Sequence, residues 1–505
     1  MSSFRVSVLA SYTSQIYIAL VGIAMMPVYV RLMGAEAYGL VGVFTMLQGW
    51  FQLLDFGLSP TLARECARFK GGAIDGLTLR RLVRALEIVF ILLGSAVAIG
   101  LTVGAGWISV NWIKADSIAA DQISLSVRLM AATIAMRWMS GLYRGALGGL
   151  EQLVWLGGFN AAVATARFVL VFPVLRLGGA TPQVFFTYQL LVAVMELTGL
   201  LWRTYARMPT LGPHDRVGLH IPALRSRVGF SLSIAFTGAV WVAVTQTDKL
   251  ILSKLLSLSD YAQFTLAVLL ANGVTIVSGP LSAALLPRLS RLDAQSASSE
   301  AITIYRQATQ GMTLAAATLA LVLTVAAEPI LFAWTGDRAL AEKAAPLLQL
   351  YALGNGILAL SAFPYYLQFA RGDVRLHLIG NVILLVVLVP SIVLATLRHG
   401  AIGAGWAWLG ANMLYAILWV PLVHRRFAPG LHLSWLARDI GAILVPATVA
   451  ALLLTTWIPW PVGRLETGAV VALVTLGVFA AAIPFASVAR ASYGKWRSSR
   501  PTSIQ

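Results

Sequence analysis

The segment LSPTLARECAR at residues 58–68 is matched, 223 residues further along the chain, by LSAALLPRLSR at residues 281–291. Both segments carry the two leucines, the serine and the final arginine at the same spacing. Further identities keep this offset to within two residues: Tyr38 with Tyr261, Trp112 with Trp334, Tyr143 with Tyr366, Gly149 with Gly372, and Asn160 with Asn381. A register kept over more than 100 residues indicates one block laid down twice, and in many transporters the substrate site lies between such repeats.

The composition predicts a membrane protein. The chain is 58% hydrophobic and 11% charged, with a mean hydropathy of +0.80, whereas a soluble domain carries roughly 25% charged residues. Apolar stretches recur along the whole length, and a helix of about 20 such residues crosses the ~30 Å hydrocarbon layer. We therefore expect an all-α polytopic fold. A β-barrel is excluded, because its strands alternate apolar and polar residues and these segments are continuously apolar.

Fourteen transmembrane helices are predicted. They lie at about residues 8–31, 38–59, 84–108, 124–147, 153–175, 182–203, 228–252, 258–286, 309–333, 344–369, 376–396, 401–423, 437–459 and 465–486. The first is read as a retained helix, because only Arg5 and no small-residue cleavage site accompanies it. The single cysteine, Cys66, excludes an intrachain disulfide.

The basic residues predict the orientation. If both termini are cytoplasmic, the cytoplasmic segments hold 25 Lys and Arg, the opposite loops hold eight, and four lie inside helices. The positive-inside rule then favours cytoplasmic N- and C-termini. The net charge of +17 is therefore distributed by membrane side, and no nucleic-acid-binding module or partner is expected.

The repeat predicts the domains. Its offset carries predicted helix 2 onto helix 8 and helix 4 onto helix 10, so two six-helix lobes share one orientation about a pseudo-two-fold along the membrane normal. The lobes are residues 1–203 and 228–426. Residues 204–227, with several prolines, form the predicted cytoplasmic linker. Residues 427–505 hold helices 13 and 14 and a basic cytoplasmic tail.

Polar residues lie on one face of predicted helix 2, spaced by three and four: Thr45, Gln48, Gln52, Asp55 and Ser59. The second lobe carries a matching stripe: Asn272, Thr275, Ser278 and Ser282. Polar groups within hydrocarbon are costly unless they face protein or water. The stripes predict a shared central cavity, with interhelical hydrogen bonding as the alternative.

The arginines predicted within transmembrane helices lie in the first lobe. Predicted helix 4 carries Arg128, Arg137 and Arg144, and helix 5 carries Arg167, whereas uncharged Tyr351, Leu360 and Leu367 occupy the matching positions of helix 10. An arginine at the bilayer centre costs about 2.5–3.5 kcal/mol on insertion scales. We therefore predict a cationic wall that binds an anion, because guanidinium groups bind phosphate bidentately. A salt bridge that locks two helices is the alternative for each arginine.

Three further charged sites are candidates for gating or coupling. Glu196 lies at a depth similar to Arg144 and could neutralise part of the wall. The neighbours Asp248 and Lys249, near the outer end of predicted helix 7, form a gate, a coupling site or a topological anchor. Glu328, before Pro329, is either a proton site or a helix-end cap.

No cofactor or metal is predicted. The chain lacks the phosphate-binding motif GxxxxGK[ST], so we do not expect it to bind and hydrolyse a nucleotide itself. Its six histidines lie in loops or at helix ends without the spacing of metal ligands.

Three motifs carry a family resemblance over about residues 8–425. They are Pro27-x-x-x-Arg31-Leu-x-Gly34 with Tyr38-Gly39, Thr247-Asp248-Lys249-Leu250 with Leu255 and Tyr261, and Leu331-x-x-Trp334-Thr-Gly336. They resemble the polysaccharide transporter family, the Wzx-type O-antigen flippases of the multidrug/oligosaccharidyl-lipid/polysaccharide exporter superfamily. The resemblance implies a V-shaped, two-lobed, alternating-access flippase in the bacterial inner membrane. It would carry undecaprenyl-diphosphate-linked oligosaccharide to the periplasmic face.

The same resemblance implies the partners: the lipid-linked glycan, membrane lipids, H⁺ or Na⁺ as a candidate coupling ion, and polysaccharide polymerase and export machinery. Two relatives fit less well. Drug antiporters often use an acid in helix 1, where residues 11–15 here are Ser-Tyr-Thr-Ser-Gln. Peptidoglycan-precursor flippases place an arginine within helix 1, where Arg31 here stands only at its end.

Three functions fit these features to different degrees. A lipid-linked oligosaccharide flippase is favoured, and a cation-coupled multidrug antiporter, with Asp55 and Asp248 as acidic candidates, is the alternative. An enzyme such as a glycan polymerase or ligase is disfavoured, because the longest outer loops, at about 109–123 and 334–343, lack convergent carboxylates and histidines.

Overall fold

A computed structural model describes residues 2–210, 217–218 and 228–486. Within these ranges every regular element is a helix, as expected from the composition. The chain divides into two compact units, Met1–Ala262 (the first unit) and Gln263–Gln505 (the second unit). The predicted linker at 204–227 lies largely outside the described residues, so the predicted domain boundaries stay a prediction.

The helices of the first unit are α1 (Ser2–Met33), α2 (Ala35–Phe51), α3 (Leu58–Lys70), α4 (Gly76–Trp107), α5 (Ala120–Gly149), α6 (Leu153–Ala164), α7 (Val171–Gly178), α8 (Pro182–Arg207) and α9 (Val228–Leu255). Helix α10 (Leu258–Ala271) crosses into the second unit. That unit continues with α11 (Gly273–Ala294), α12 (Ser298–Met312), α13 (Thr318–Val325), α14 (Ala327–Thr335), α15 (Arg338–Ser361), α16 (Phe363–Ala370), α17 (Arg375–Leu414), α18 (Val420–Phe427), α19 (Leu431–Ser434), α20 (Ala442–Trp457) and α21 (Arg464–Ala482).

Several helix starts follow from capping residues. The carboxylates of Asp75 and Asp337 accept hydrogen bonds from the backbone N–H groups of Thr78 and Leu340, at 3.3 and 3.1 Å. The Thr181 hydroxyl accepts from the N–H of Val184 at 3.4 Å, just before Pro182. Each bond satisfies an N–H group that has no partner inside its helix.

Eleven stretches are long and apolar enough to cross a membrane among the described residues. They confirm a polytopic helical membrane protein but not the number fourteen. Helix α5, which carries three arginines, and α9 are not among them. One stretch, Arg375–Phe427, contains a sharp kink at Gly400, whose φ of 60° lies in the left-handed region that glycine tolerates.

Predicted helix 2 is interrupted. Helix α2 ends at Phe51, a 3₁₀ turn covers Gln52–Asp55, and Phe56 and Gly57 take φ values of 45° and 69° before α3 begins. Asp55 holds the break, since its Oδ1 accepts from the N–H and the hydroxyl of Ser59 at 3.2 and 2.5 Å. Predicted helices 8 and 10 are likewise divided, between α10 and α11 and between α15 and α16.

The repeated residues are mainly packing residues. Tyr38 and Tyr261 are both 1% exposed, and Leu62 and Leu285 are also buried. The paired glycines, in contrast, match for different reasons. Gly372 has a φ of +69°, whereas a Cβ at Gly149 would lie 2.1 Å from the carbonyl oxygen of Ala63. Gly149 is therefore required where α5 packs against α3.

This close approach predicts a stability difference between adjacent glycines. Gly149→Ala should lower the thermal unfolding midpoint of the purified protein, because overpacking costs about 1–3 kcal/mol. Gly148→Ala is the matched control, since a Cβ at Gly148 meets nothing within 4 Å. Equal midpoints for both variants would contradict the predicted packing of α5 on α3.

Candidate functional site

Two arginines of α5 face two polar residues of α8. The Nη2 of Arg137 donates to Oε1 of Gln189 at 2.6 Å. The Nη2 of Arg144 donates to Oε1 of Glu196, which is fully buried. Arg137 and Arg144 are seven residues apart, and so are Gln189 and Glu196, so each pair spans two turns on one helix face. The equal spacing gives two successive polar rungs between α5 and α8.

Arg167 joins the same cluster from the α6–α7 segment. Its Nη2 donates to Oε2 of Glu196 at 3.2 Å. One carboxylate therefore binds two guanidinium groups, with one of its oxygens facing each. Glu196 thus contacts Arg144 as well as Arg167, and its gating or coupling role stays a prediction.

Arg167 stands in a π-helical turn, Thr165–Val169, between α6 and α7. Three successive carbonyl oxygens of this turn accept side-chain hydrogen bonds: that of Ala166 from the Tyr188 hydroxyl at 2.9 Å, that of Arg167 from Gln189 Nε2 at 3.0 Å, and that of Phe168 from the Tyr29 hydroxyl at 2.5 Å. Side chains of α1 and α8 thus hold the widened turn that presents Arg167. Such π turns occur frequently at functional sites.

The arginine cluster, defined as Arg137, Arg144, Arg167 and Glu196, carries three cationic groups and one anionic group. The side chains of Arg144 and Arg167 remain 33% and 22% exposed. Within the described part of the chain, the Nε atoms of Arg137 and Arg167 are buried without a hydrogen-bond partner. The cluster therefore retains both positive charge and donor capacity.

Neutral groups complete the environment of the cluster. The Nε of Arg144 donates to Oδ1 of Asn160 at 3.2 Å. The guanidinium carbon of Arg137 lies 5.1 Å from the centre of the Phe44 ring, which is a cation–π contact. None of these neighbours cancels a charge, so the excess of two positive charges is not neutralised by them.

Arg128 is not brought into the cluster. It is exposed, and the described residues give it no ion pair. Nine residues separate it from Arg137, a distance of about 14 Å along the helix axis. Three of the four arginines are thus brought together, and their role as an anion-binding cationic wall stays a prediction.

The polar residues of predicted helix 2 do not form one continuous stripe. The helical periodicity ends at Phe51, so it relates only Thr45 and Gln48. The Thr45 hydroxyl donates to the Val41 carbonyl of its own helix at 2.9 Å. Gln52 is exposed and Asp55 is half-buried. The cavity role of Gln48, Gln52 and Asp55 stays a prediction.

The second stripe includes an interhelical hydrogen-bond network. Asn355 Nδ2 donates to Asn272 Oδ1 at 3.3 Å, and Trp408 Nε1 donates to Asn355 Oδ1 at 3.1 Å. The Thr275 hydroxyl donates to the Asn272 carbonyl at 2.8 Å. Asn272 thus forms an interhelical hydrogen bond, which was the alternative to a cavity role. The Ser278 side chain lies outside the described residues.

Asp248 and Lys249 form a direct ion pair on α9. Lys249 Nζ donates to Asp248 Oδ1 at 3.2 Å and to the Thr245 carbonyl at 2.6 Å. Asp248 is 1% exposed. The geometry is that of a fixed, buried pair, and a gating or coupling role for it stays a prediction.

Sequence reasoning assigned no site role to Gln189, Asn160 or Tyr188, although Asn160 was noted as a repeated residue. Each is a polar residue inside a predicted apolar helix, which was the available signal. Their partners could not be read from the sequence, because the contacts of Arg137 with Gln189 and of Arg144 with Asn160 join different helices, and the sequence does not give how helices pack. For Arg167 the π turn also shifts the register of the helix. Without that register, the face on which Arg167 projects cannot be derived.

Comparison with known proteins identifies the family of the chain. The profile of the family described as "Polysaccharide biosynthesis protein" matches residues 5–293, more than half of the chain. No curated protein sequence matches it.

Two solved structures share the fold. One is the lipid II flippase MurJ in an inward closed conformation, at 12% identity, with a TM-score of 0.72 over 94% of this chain and 97% of that one. The other is the MATE multidrug transporter DinF-BH, at 13% identity, with a TM-score of 0.59 over 85% of this chain and 96% of that one. Both neighbours are transport proteins, and the chain itself belongs to the polysaccharide biosynthesis protein family.

Proposed function

We propose that this protein is a flippase for undecaprenyl-diphosphate-linked oligosaccharide. It would move an O-antigen or other surface-polysaccharide repeat unit from the cytoplasmic to the periplasmic face of the bacterial inner membrane by alternating access. The observation that carries the proposal is the excess of two positive charges in the arginine cluster. The family membership supports a role in polysaccharide biosynthesis.

A diphosphate supplies the negative charge and the hydrogen-bond acceptors that the arginine cluster lacks. Positive charge within membrane-spanning helices is costly unless an anion or water compensates it. A diphosphate supplies both negative charge and several acceptor oxygens, and guanidinium groups bind such oxygens in a charge-assisted, bidentate manner. The side chains of Arg144 and Arg167 are partly exposed and can be reached by a phosphate, whereas the buried Nε atoms of Arg137 and Arg167 become available only if the cluster opens.

The arginines divide into two roles in this proposal. Arg137 hydrogen-bonds a neutral amide, so its charge is fully available to substrate. Arg144 and Arg167 share Glu196, which holds them in place. When substrate binds, a phosphate would replace Glu196 as their anionic partner. Glu196, together with the Asp248–Lys249 pair, is the candidate for gating or coupling to H⁺ or Na⁺.

The membrane potential can contribute to transport. An anion that leaves an inside-negative cell gains about 2.3 kcal/mol per charge per 100 mV. This gain is retained only if the arginines stay fixed while the diphosphate moves. Their anchoring to α8 favours that arrangement.

Arg137→Gln tests the charge without disturbing the fold. The variant keeps a hydrogen-bonding group beside Gln189 and leaves no carboxylate unpaired. We expect surface glycan export to fall at least tenfold, since the loss of one charge-assisted contact costs about 1.5–3 kcal/mol. Export is measured in cells lacking the chromosomal gene, at matched amounts of membrane-inserted protein.

Arg128→Gln is the matched control, because Arg128 lies on the same helix outside the cluster. It should export normally, and Arg167→Gln should fail like Arg137→Gln. Full export by both Arg137→Gln and Arg167→Gln would refute a substrate role for the cluster.

Glu196→Gln tests whether the carboxylate holds the cluster together. It leaves Arg144 and Arg167 without their shared anion, so the thermal unfolding midpoint should fall. The additional change Arg144→Gln removes one of the three uncompensated charges that Glu196→Gln leaves and should restore part of the midpoint. A double-mutant cycle measures this coupling. Strictly additive effects would show that the contact contributes nothing to stability.

A cation-coupled multidrug antiporter is the second candidate. The observation that favours it is Asp55, a half-buried carboxylate for which the described residues provide hydroxyl and N–H donors from Ser59 but no ion pair. An antiporter should raise drug resistance on overexpression and lose this effect with Asp55→Asn. Unchanged resistance to a panel of cationic drugs, alongside gene-dependent glycan export, would exclude this candidate.

A further inference from the structure

The second unit contains a polar pocket that the proposed arginine site does not use. Its cavity volume is about 280 Å³, and its lining includes Glu328, Phe332, Arg338, Gln349 and Trp460. This is just below the range of about 300–1,000 Å³ that is typical of small-molecule sites. The volume suits one sugar unit of a glycan and not a whole oligosaccharide.

The pocket lies at one common end of four candidate spans. Ser298–Val325 and Leu431–Trp457 end beside it, and Arg338–Ala370 and Arg464–Phe485 begin there. These spans alternate in direction along the chain, so the lining residues share one membrane face. The distribution of basic residues predicts that this face is extracytoplasmic.

Hydrogen bonds fix the walls of the pocket. Arg464 donates from Nε to the Ala333 carbonyl at 2.9 Å and from Nη2 to the Trp334 carbonyl at 2.7 Å, which ties α21 to the end of α14. The Thr467 hydroxyl is 3.0 Å from the Pro461 carbonyl and holds the loop that carries Trp460. The pocket is therefore preformed, as binding sites usually are.

The lining combines aromatic and charged groups. The Arg338 guanidinium stacks on Phe332 at 4.9 Å. Glu328, Arg338 and Gln349 are exposed, and in the described part of the chain the Glu328 carboxylate and the Gln349 amide have no hydrogen-bond or ion-pair partner, so both groups are open to a ligand from solvent. The pocket lining thus combines charged, amide and aromatic groups, among them Arg338, Gln349 and Trp460.

We propose that this pocket binds a sugar residue of the transported glycan at the extracytoplasmic face, an inference that rests on the proposed flippase function. A sugar ring presents apolar C–H faces to aromatic rings and hydroxyl groups to its rim. The carboxylate and amide can each bind adjacent hydroxyls. A purely apolar ligand would bury Glu328 and Arg338 without partners, which is costly.

The lining carries one acidic and one basic side chain, so the pocket has no net charge. Glu328 repels an anionic ligand, and Arg338 repels a cationic drug. A zwitterionic lipid headgroup has the same charge pattern as this pair and is therefore tested as a competitor.

The probe is the free oligosaccharide released by mild acid from the lipid-linked glycan that accumulates in cells lacking the protein. Its binding to the purified full-length chain in detergent is measured by saturation-transfer NMR titration. Wild type and Glu342→Gln should bind equally, because Glu342 is an exposed carboxylate of α15 outside the pocket lining. Glu328→Gln and Trp460→Ala should weaken binding at least tenfold.

Three results would overturn the proposal: no binding by wild type, equal binding by Glu328→Gln and wild type, or displacement of the oligosaccharide by glycerophosphoethanolamine at similar concentration. Glu328→Gln is nearly isosteric, so its effect does not depend on a folding defect. If the oligosaccharide fails to bind while Arg137→Gln still blocks export, the sugar pocket is wrong and the flippase function stands. If deletion of the gene leaves export intact, the flippase function itself is wrong.

Discussion

The buried Glu196 carboxylate is the interaction on which the arginine cluster depends. One oxygen faces Arg144 of α5 and the other faces Arg167 of the π turn. A carboxylate or a guanidinium buried alone would be strongly destabilising, so each requires the other. Since two cations share one anion, however, pairing cannot be complete. The same contact that holds three helical segments together leaves two positive charges without an anion, and the proposed substrate site rests on this excess.

The helices around the Glu196 contact are held in position by further contacts. Two heptad-spaced rungs align α5 with α8, and the wider π turn is held by hydroxyl and amide donors from α1 and α8. On another face of α5, Gly149 permits close contact with α3. The hydrogen bonds fix the π turn, and the glycine fixes the distance between α5 and α3.

Much of the fold was predictable from residue type and spacing. Hydropathy predicts the helical membrane fold, and the seven-residue spacing of Arg137 and Arg144 predicts that they share a face. The break at Phe56 was not predictable, because a left-handed phenylalanine has no sequence signal apart from the following Gly57. The contact between Arg167 and Glu196 was not predictable either, because it depends on a π turn and not on a regular helical register. Contacts within one straight helix can be derived from periodicity, whereas contacts that depend on a break in the helix cannot.

The most direct test of the central claim is the affinity of the purified protein for farnesyl diphosphate, farnesyl monophosphate and farnesol, probes that share a tail and differ in charge. If the excess guanidinium charge binds the diphosphate, affinity should fall in that order. It should weaken with added salt for the charged probes only and drop for the diphosphate in Arg137→Gln and Arg167→Gln. Equal affinity for farnesol and farnesyl diphosphate, or a diphosphate affinity unchanged in both variants, would contradict the account.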